Sequence, residues 1–294
     1  MDWMKFRKIY FIFSGAVIAL GIFSLVKWGM RLGVDFSGGT IIEYKFEEDI
    51  STEEASKKIE DEGVEVTSIQ KTDDKKYIFR VSALKPEEKD KVKKSLESIT
   101  NGKAFEELRY ETVGPSISPE LIIKTFYAIA IASTAILLWV AYQFKSIKFG
   151  TSAILAMFHD SFILVGFFSL FGHFWQAEVD FLFITALLTT LSFSVHDTIV
   201  VYDRIREFQK KNKDVSLYNI SNIAITETMV RSLNNSFTIL FMLVALILLG
   251  GTSIKWFSVA LLIGTIFGTY SSPFIAVPIL VTWEEVVNKL RRRK

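Results

Sequence analysis

Apolar residues gather in six long stretches, and one long polar interval separates the first from the rest. The stretches fall near 9–28, 121–144, 150–171, 181–202, 231–250 and 256–282. Crossing a bilayer core of about 30 Å takes roughly 20 apolar residues in a helix, so the pattern predicts six transmembrane helices. In the polar interval the period changes. Thr40–Phe46 alternates as a strand, and Ser51–Glu62 opens with Ser51 and Glu54 at capping-box spacing and carries Ala55 and Ile59 on one helix face. Val66–Lys71 and Tyr77–Ser82 read as strands around the turn Thr72–Lys75, Pro86 opens a helix through Ile99, and Phe105–Val113 forms a last strand. The order β-α-β-β-α-β is the ferredoxin-like split pattern.

The expected fold is therefore an α-helical polytopic membrane protein with six transmembrane helices plus an α+β ferredoxin-like extracytoplasmic domain. Residues 1–29 form the N-terminus and first helix, 30–118 the extracytoplasmic domain, and 119–294 a five-helix transmembrane domain. Composition agrees: half of the 294 residues are hydrophobic and 26 are Phe, too apolar for an ordinary soluble domain. The first span is longer than a signal-peptide core and lacks a small-residue cleavage site after it, so it reads as a retained anchor.

Lys and Arg fix the expected orientation, because short loops rich in them stay cytoplasmic. Lys5, Arg7, Lys8, Lys145, Lys148, Arg204, Arg206, Lys210, Lys211, Lys213 and the terminal Arg291–Lys294 all fall on one side of the six-span arrangement. Both termini are then cytoplasmic. All six tryptophans sit at or just beyond predicted helix ends, where indole prefers the headgroup level. The net charge of +2 implies nothing about nucleic acid, none of which is expected as a partner, and the absence of cysteine excludes thiol chemistry and disulfides.

Few residues carry candidate chemistry. Asp197 lies inside the fourth span, and an intramembrane carboxylate asks for a partner or a function. Thr190 and Ser194 precede it on the same helix face. Arg231 opens the fifth span at a similar depth, so the two charges pair if their helices touch. His159-Asp160 in the third span repeats the dipeptide His196-Asp197. A depth mismatch of about 9 Å, from 1.5 Å per residue, argues against shared metal ligation and leaves an interhelical polar contact or a relay role. No metal, cofactor or enzymatic reaction is expected, since the polar interval has no His, Cys or phosphate-binding Gly loop.

Gly33-Val34-Asp35-Phe36-Ser37-Gly38-Gly39 reads as a tight structural turn, with glycine admitting positive φ. Gly264 and Gly268 have the GxxxG spacing of close helix packing, and Pro273 is placed to kink the last helix. Tyr202–Glu207 reads as a charged helix end at the cytoplasmic surface. The terminal RRRK is an anchor that can also meet anionic lipid.

Together GVDFSGGT, VGPSISPEL (113–121), HD at 159–160, HDTIVVYDRIRE (196–207) and GTYSSPFIAVPIL (268–280) resemble the SecF subunits of the bacterial Sec protein-export machinery, part of the resistance-nodulation-division superfamily. The match runs in order along nearly the whole chain. The resemblance implies SecD as partner, the SecYEG channel, translocating preprotein and membrane lipid as contacts, and a proton-motive role. It places the family's intramembrane carboxylate on Asp197 and its essential arginine on Arg231. His196 departs from the Asn common in relatives. A small-molecule or lipid exporter of the same superfamily, or a passive scaffold of the channel, is the alternative.

Overall fold

The structure is a computed structural model describing residues 1–73, 75–100, 102–114, 118–144 and 146–291. Parts of three motifs therefore lie outside the described residues: Asp74 of the hairpin turn, Pro115–Ile117 of VGPSISPEL, and the last three residues of RRRK. The chain divides into two compact units, Met1–Arg31 with Ala128–Lys294, and Leu32–Tyr127.

In the second unit, α2 (Val34–Ser37) leads into β1 (Gly39–Phe46), followed by α3 (Thr52–Asp61), β2 (Val66–Asp73), β3 (Lys76–Val81), α4 (Pro86–Ile99) and β4 (Phe105–Val113). The strands form one antiparallel sheet in the order β2-β3-β1-β4. Both helices bury onto the same face: Ala55 and Ile59 of α3 and Val92 and Leu96 of α4 join Ile42, Tyr44, Phe46, Tyr77 and Phe79 in one cluster. The alternation seen in the sequence has this cause, since every second β1 side chain meets the helices. Ser51 caps α3 by accepting from the Glu54 N–H at 3.4 Å. At the entry to the sheet Gly38 and Gly39 have φ of 74° and 124°, and a Cβ at 39 would sit 2.9 Å from the Val81 carbonyl oxygen. Gly33, by contrast, has φ −73°, open to any residue, and caps the short helix that carries Asp35.

The first unit carries the apolar helices: α1 (Arg7–Trp28) after a 3-10 turn at Trp3–Phe6, α5 (Ser118–Phe144, entering from the other unit), α6 (Ile147–Trp175), α7 (Phe181–Lys211), α8 (Leu217–Leu249), α9 (Thr252–Ser271), a π-helical segment Ser272–Ala276 and α10 (Val277–Arg291). Six helices among the described residues are long and apolar enough to cross a membrane, the last being the continuous run from α9 through α10. α6, α7 and α9 form the buried centre, while α1, α5 and α8 expose most of their apolar windows.

Small residues let the central helices close up. A Cβ on Gly264 would lie 1.9 Å from Thr190 Cγ2, and Gly268 faces Phe193 and Ser194, so α9 lies directly on α7. Gly21 of α1 and Gly166 of α6 make a second close approach, with a Cβ on Gly166 only 2.6 Å from the Gly21 Cα. Pro273 sits in the π segment, where its missing N–H and ring disturb the regular hydrogen-bond ladder.

Two spans reach well beyond their apolar limits. α7 continues to Lys211, and α8 begins at Leu217, fourteen residues before Arg231. Arg231 thus lies inside a helix and does not open one. Hydropathy marks where lipid contact begins, whereas the helix continues through the polar stretch LYNISNIAITETMV.

Candidate functional site

A layer of hydroxyls and two carboxylates runs through the centre of the bundle. Asp160, buried on α6, is its most connected member. Its Oδ2 accepts from Ser194 Oγ of α7 at 2.5 Å and from Ser271 Oγ of α9 at 2.6 Å, and its Oδ1 lies 2.8 Å from His159 Nδ1. Three helices are tied together at this one side chain. His159 is itself buried, and its Nε2 has no hydrogen-bond partner.

Asp197 is buried on α7 in a thinner environment. Ser232 Oγ of α8 donates to its Oδ1 at 2.7 Å, while its buried Oδ2 makes no well-formed hydrogen bond and has the Ser272 hydroxyl as a polar neighbour. A buried carboxylate oxygen in that condition keeps a free acceptor position. Asp160 differs in having three polar neighbours around its carboxyl group. Ser194 stands one helical turn before Asp197, so the carboxylates differ in level by about 4.5 Å at 1.5 Å per residue. This is half the separation expected from the sequence, because the helix limits used to gauge depth were displaced.

Smaller bonds join the two centres. Thr198 Oγ1 and Ser272 Oγ are 3.0 Å apart, and Ser272 Oγ donates to the Ser194 carbonyl at 3.4 Å. Ser271 precedes the π segment and Ser272 opens it, so the irregular part of the last span gives a hydroxyl bond to Asp160 and sets a second hydroxyl beside Asp197. On the side toward Lys148, the fully buried Tyr202 has its Oη 2.7 Å from Ser152 Oγ and 2.9 Å from the Ala276 carbonyl oxygen, within the π segment. Sequence reasoning placed Tyr202 in a surface helix end. The apolar VVY preceding the charges was the available sign that it faces inward.

The remaining predicted residues divide clearly. Thr190 bonds back to the Leu187 carbonyl at 2.9 Å and reaches neither carboxylate, so it packs against Gly264 instead of extending a polar stripe. Ser194 serves Asp160, not Asp197. His196 is exposed on the far side of α7, in a groove with Ala135, Ile136, Trp139, Ser192 and Ile199. Arg231 shares the level of Asp197, as its neighbour Ser232 attests, but is exposed, and no ion pair joins the two charges. One residue along a helix turns a side chain about 100°, from 3.6 residues per turn, which is why equal depth did not bring contact. Among the described residues no cluster of three or more His, Cys, Asp or Glu is arranged for a metal ion.

Beyond the layer, charges knit the helix ends. Arg204 Nε donates to Glu227 Oε2 at 2.6 Å and joins α7 to α8, while Arg7 makes a two-bond pair with Glu285 at 2.9 and 2.7 Å.

Comparison with known proteins gives this arrangement a context. Residues 91–286 match the family described as protein export membrane protein SecD/SecF, C-terminal, and residues 23–50 match the SecD/SecF GG motif. The chain is 39% identical to the protein translocase subunit SecF of Thermobaculum terrenum, over 97% of this chain and 94% of that one. It is 35% identical to the protein translocase subunit SecDF of Bacillus subtilis, over 96% of this chain but only 38% of the relative. The crystal structure of SecDF, a translocon-associated membrane protein from Thermus thermophilus, superposes with a TM-score of 0.85 at 30% identity, covering 97% of this chain and 39% of that chain.

Proposed function

The chain belongs to the SecD/SecF family of protein-export membrane proteins and is an accessory subunit of the Sec translocon, and from that premise we propose that it draws on the proton-motive force to promote preprotein translocation. The observation that carries the proposal is the unlike surroundings of the two buried carboxylates. Asp197 takes and releases the proton. Asp160, with His159, Ser194 and Ser271, anchors the helices against which Asp197 moves. Protonation removes a buried charge and gives Oδ2 a donor, so two packings of α7 against α8 exchange in stability, and a gradient biases them in turn.

Arg231 enters as the counter-charge in the same layer. It stands on an outward face of α8 beside the exposed Val230, Leu233 and Phe237. A cation there calls for a covering partner. The chain spans about two fifths of single-chain SecDF proteins, so SecD is the partner that supplies the remaining portion. SecYEG and the emerging preprotein complete the assembly.

Residues 30–118 are read as an extracytoplasmic ferredoxin-like domain that meets preprotein. Its sheet order and one-sided helices support the fold, and the Lys/Arg asymmetry supports both termini in the cytoplasm. Because the chain has no cysteine, single cysteines report topology cleanly. Glu97→Cys should react with an impermeant thiol reagent from outside and Lys211→Cys should not; labelling on the reverse sides would overturn the orientation.

The motor itself is tested in membrane vesicles carrying SecD. Asp197→Asn and Arg231→Met should each abolish gradient-stimulated translocation while the protein is still made and assembled. Full gradient dependence in Asp197→Asn would leave only a scaffold.

A further inference from the structure

Along the exposed flank where α1 meets α10, Phe11, Ile279, Thr282, Trp283, Val286 and Val287 line a groove of about 320 Å³. Apolar surface is ordinary on a membrane helix; the mouth of this groove is not. The Arg7–Glu285 pair closes one end, with Arg7 one turn from Phe11 and Glu285 one turn from Thr282. Beyond it three exposed cations follow at helical spacing from lining residues: Lys8 three residues before Phe11, Lys289 three after Val286, and Arg291 four after Val287. None of the three is in an ion pair among the described residues. Trp283 adds an indole, the side chain favoured at the headgroup level. One further polar atom belongs to the groove, the Thr282 hydroxyl, which is buried without a hydrogen-bond partner.

We propose that this groove is a binding site for an anionic phospholipid, with one acyl chain lying along Phe11, Ile279 and Val286 and the phosphate held among Lys8, Lys289 and Arg291. Charge complementarity commits the site to this occupant. An apolar helix of another protein would fill the groove but leave three cations uncompensated, and a zwitterionic lipid would bring its own ammonium among them. Basic pockets between transmembrane helices are a recurrent form of anionic-lipid site, and the hydrocarbon channel supplies the second anchoring signal that a cation patch alone lacks. The bound lipid bridges the first and last spans, outside the Asp160–Asp197 layer and independently of the proton mechanism.

The test is native mass spectrometry of the full chain titrated with phosphatidylglycerol or phosphatidylcholine. The wild type should retain one phosphatidylglycerol at least tenfold more tightly than phosphatidylcholine. Lys8→Gln/Lys289→Gln/Arg291→Gln, all at the surface and harmless to folding, should erase that preference. Val286→Trp, which fills the groove and leaves the charges, should abolish retention of either lipid. Equal retention of the two lipids by the wild type would overturn the site. Preference surviving the triple substitution would do the same, as would unchanged binding in a folded Val286→Trp protein, which would reduce the contact to headgroup attraction. Loss of a co-purifying protein in Val286→Trp, with lipid retention unaffected, would assign the groove to a helix and refute the proposal.

Discussion

In the sheet unit the buried cluster is aliphatic and aromatic, with Tyr44, Phe46, Tyr77 and Phe79 on one face of the sheet and pairs such as Lys89–Glu107 and Lys71–Asp49 outside it. The bundle also buries an apolar cluster, with Phe144, Met157, Tyr202 and Leu280 among its members, but it differs in running a polar layer of Asp160, His159, Asp197, Ser194, Ser232, Ser271 and Ser272 through its interior while many apolar side chains face outward. A water-soluble core gains its free energy by removing apolar area from water, whereas a bundle in lipid has no such gain and is held by close packing and interhelical hydrogen bonds. Interhelical polar contacts therefore carry more of the cohesion in the bundle than buried polar groups such as Thr40 carry in the sheet unit. Among the described residues of the bundle only Asp197 has a buried carboxylate oxygen without a hydrogen bond, and the proposed function puts the movable proton there.

Removing interhelical polar contacts should have the largest effect. Asp160→Leu leaves Ser194, Ser271 and His159 without their acceptor, and breaking a buried charged network costs about 3 to 5 kcal/mol. Its level in the membrane should fall sharply, as seen by immunoblot, while Asp197→Asn keeps an acceptor for Ser232 and should accumulate normally. Equal accumulation of both variants would remove the distinction between anchor and switch.

Packing comes next. Gly264→Val drives side-chain atoms into Thr190, and overpacking costs about 1 to 3 kcal/mol. Its thermal midpoint in detergent should drop and be partly restored by Thr190→Ala. No restoration would mean that the α7–α9 approach is not the cause.

The sheet unit should respond more gently to loss of a polar contact. Tyr77 Oη accepts from the Ile50 N–H at 3.2 Å and donates to Asp49 Oδ1 at 3.0 Å. Tyr77→Phe removes both bonds at a net cost of about 1 kcal/mol each. Faster amide exchange should be confined to the segment around Ile50. Exchange spreading into the bundle would contradict the separation of the two units.

The smallest effect is one of pH. Hydrogen bonds from Lys71 and then Tyr77 hold the Asp49 carboxyl below its usual range. A depressed folded value contributes stability that is present above the unfolded value near 3.8 and lost as pH falls through the folded one. Protection near Ile50 should therefore weaken slightly on acidification below pH 4, and Asp49→Asn should flatten that dependence.

Much of this contrast was legible in the sequence, for reasons that differ by region. The strands and both long helices of the sheet unit follow from alternation, the Ser51 cap and Pro86, because local pattern and burial agree there. GxxxG at Gly264 and Gly268 announced a close helix approach, though not that α7 would be the partner. The start of α8 was hidden because Leu217–Val230 is helical but polar, and that error carried Arg231 to a helix end. Asp160 was undervalued because depth counted along a chain has no azimuth. Ser194 was read with Asp197, its neighbour on the helix, although its hydroxyl crosses to α6. Two serines before Pro273 were the sign that the last span departs from regular geometry there. Which carboxylate each would serve depends on helix rotation, which spacing alone leaves open.

The central claim of the proposed function is that Asp197, and not Asp160, takes up and releases the proton, and infrared difference spectroscopy of the full chain in lipid reads this directly. On acidification a protonated-carboxyl band should appear in the wild type, vanish in Asp197→Asn and persist in Asp160→Asn. A band that survives Asp197→Asn and disappears with Asp160→Asn would contradict the assignment and place the proton on the anchor.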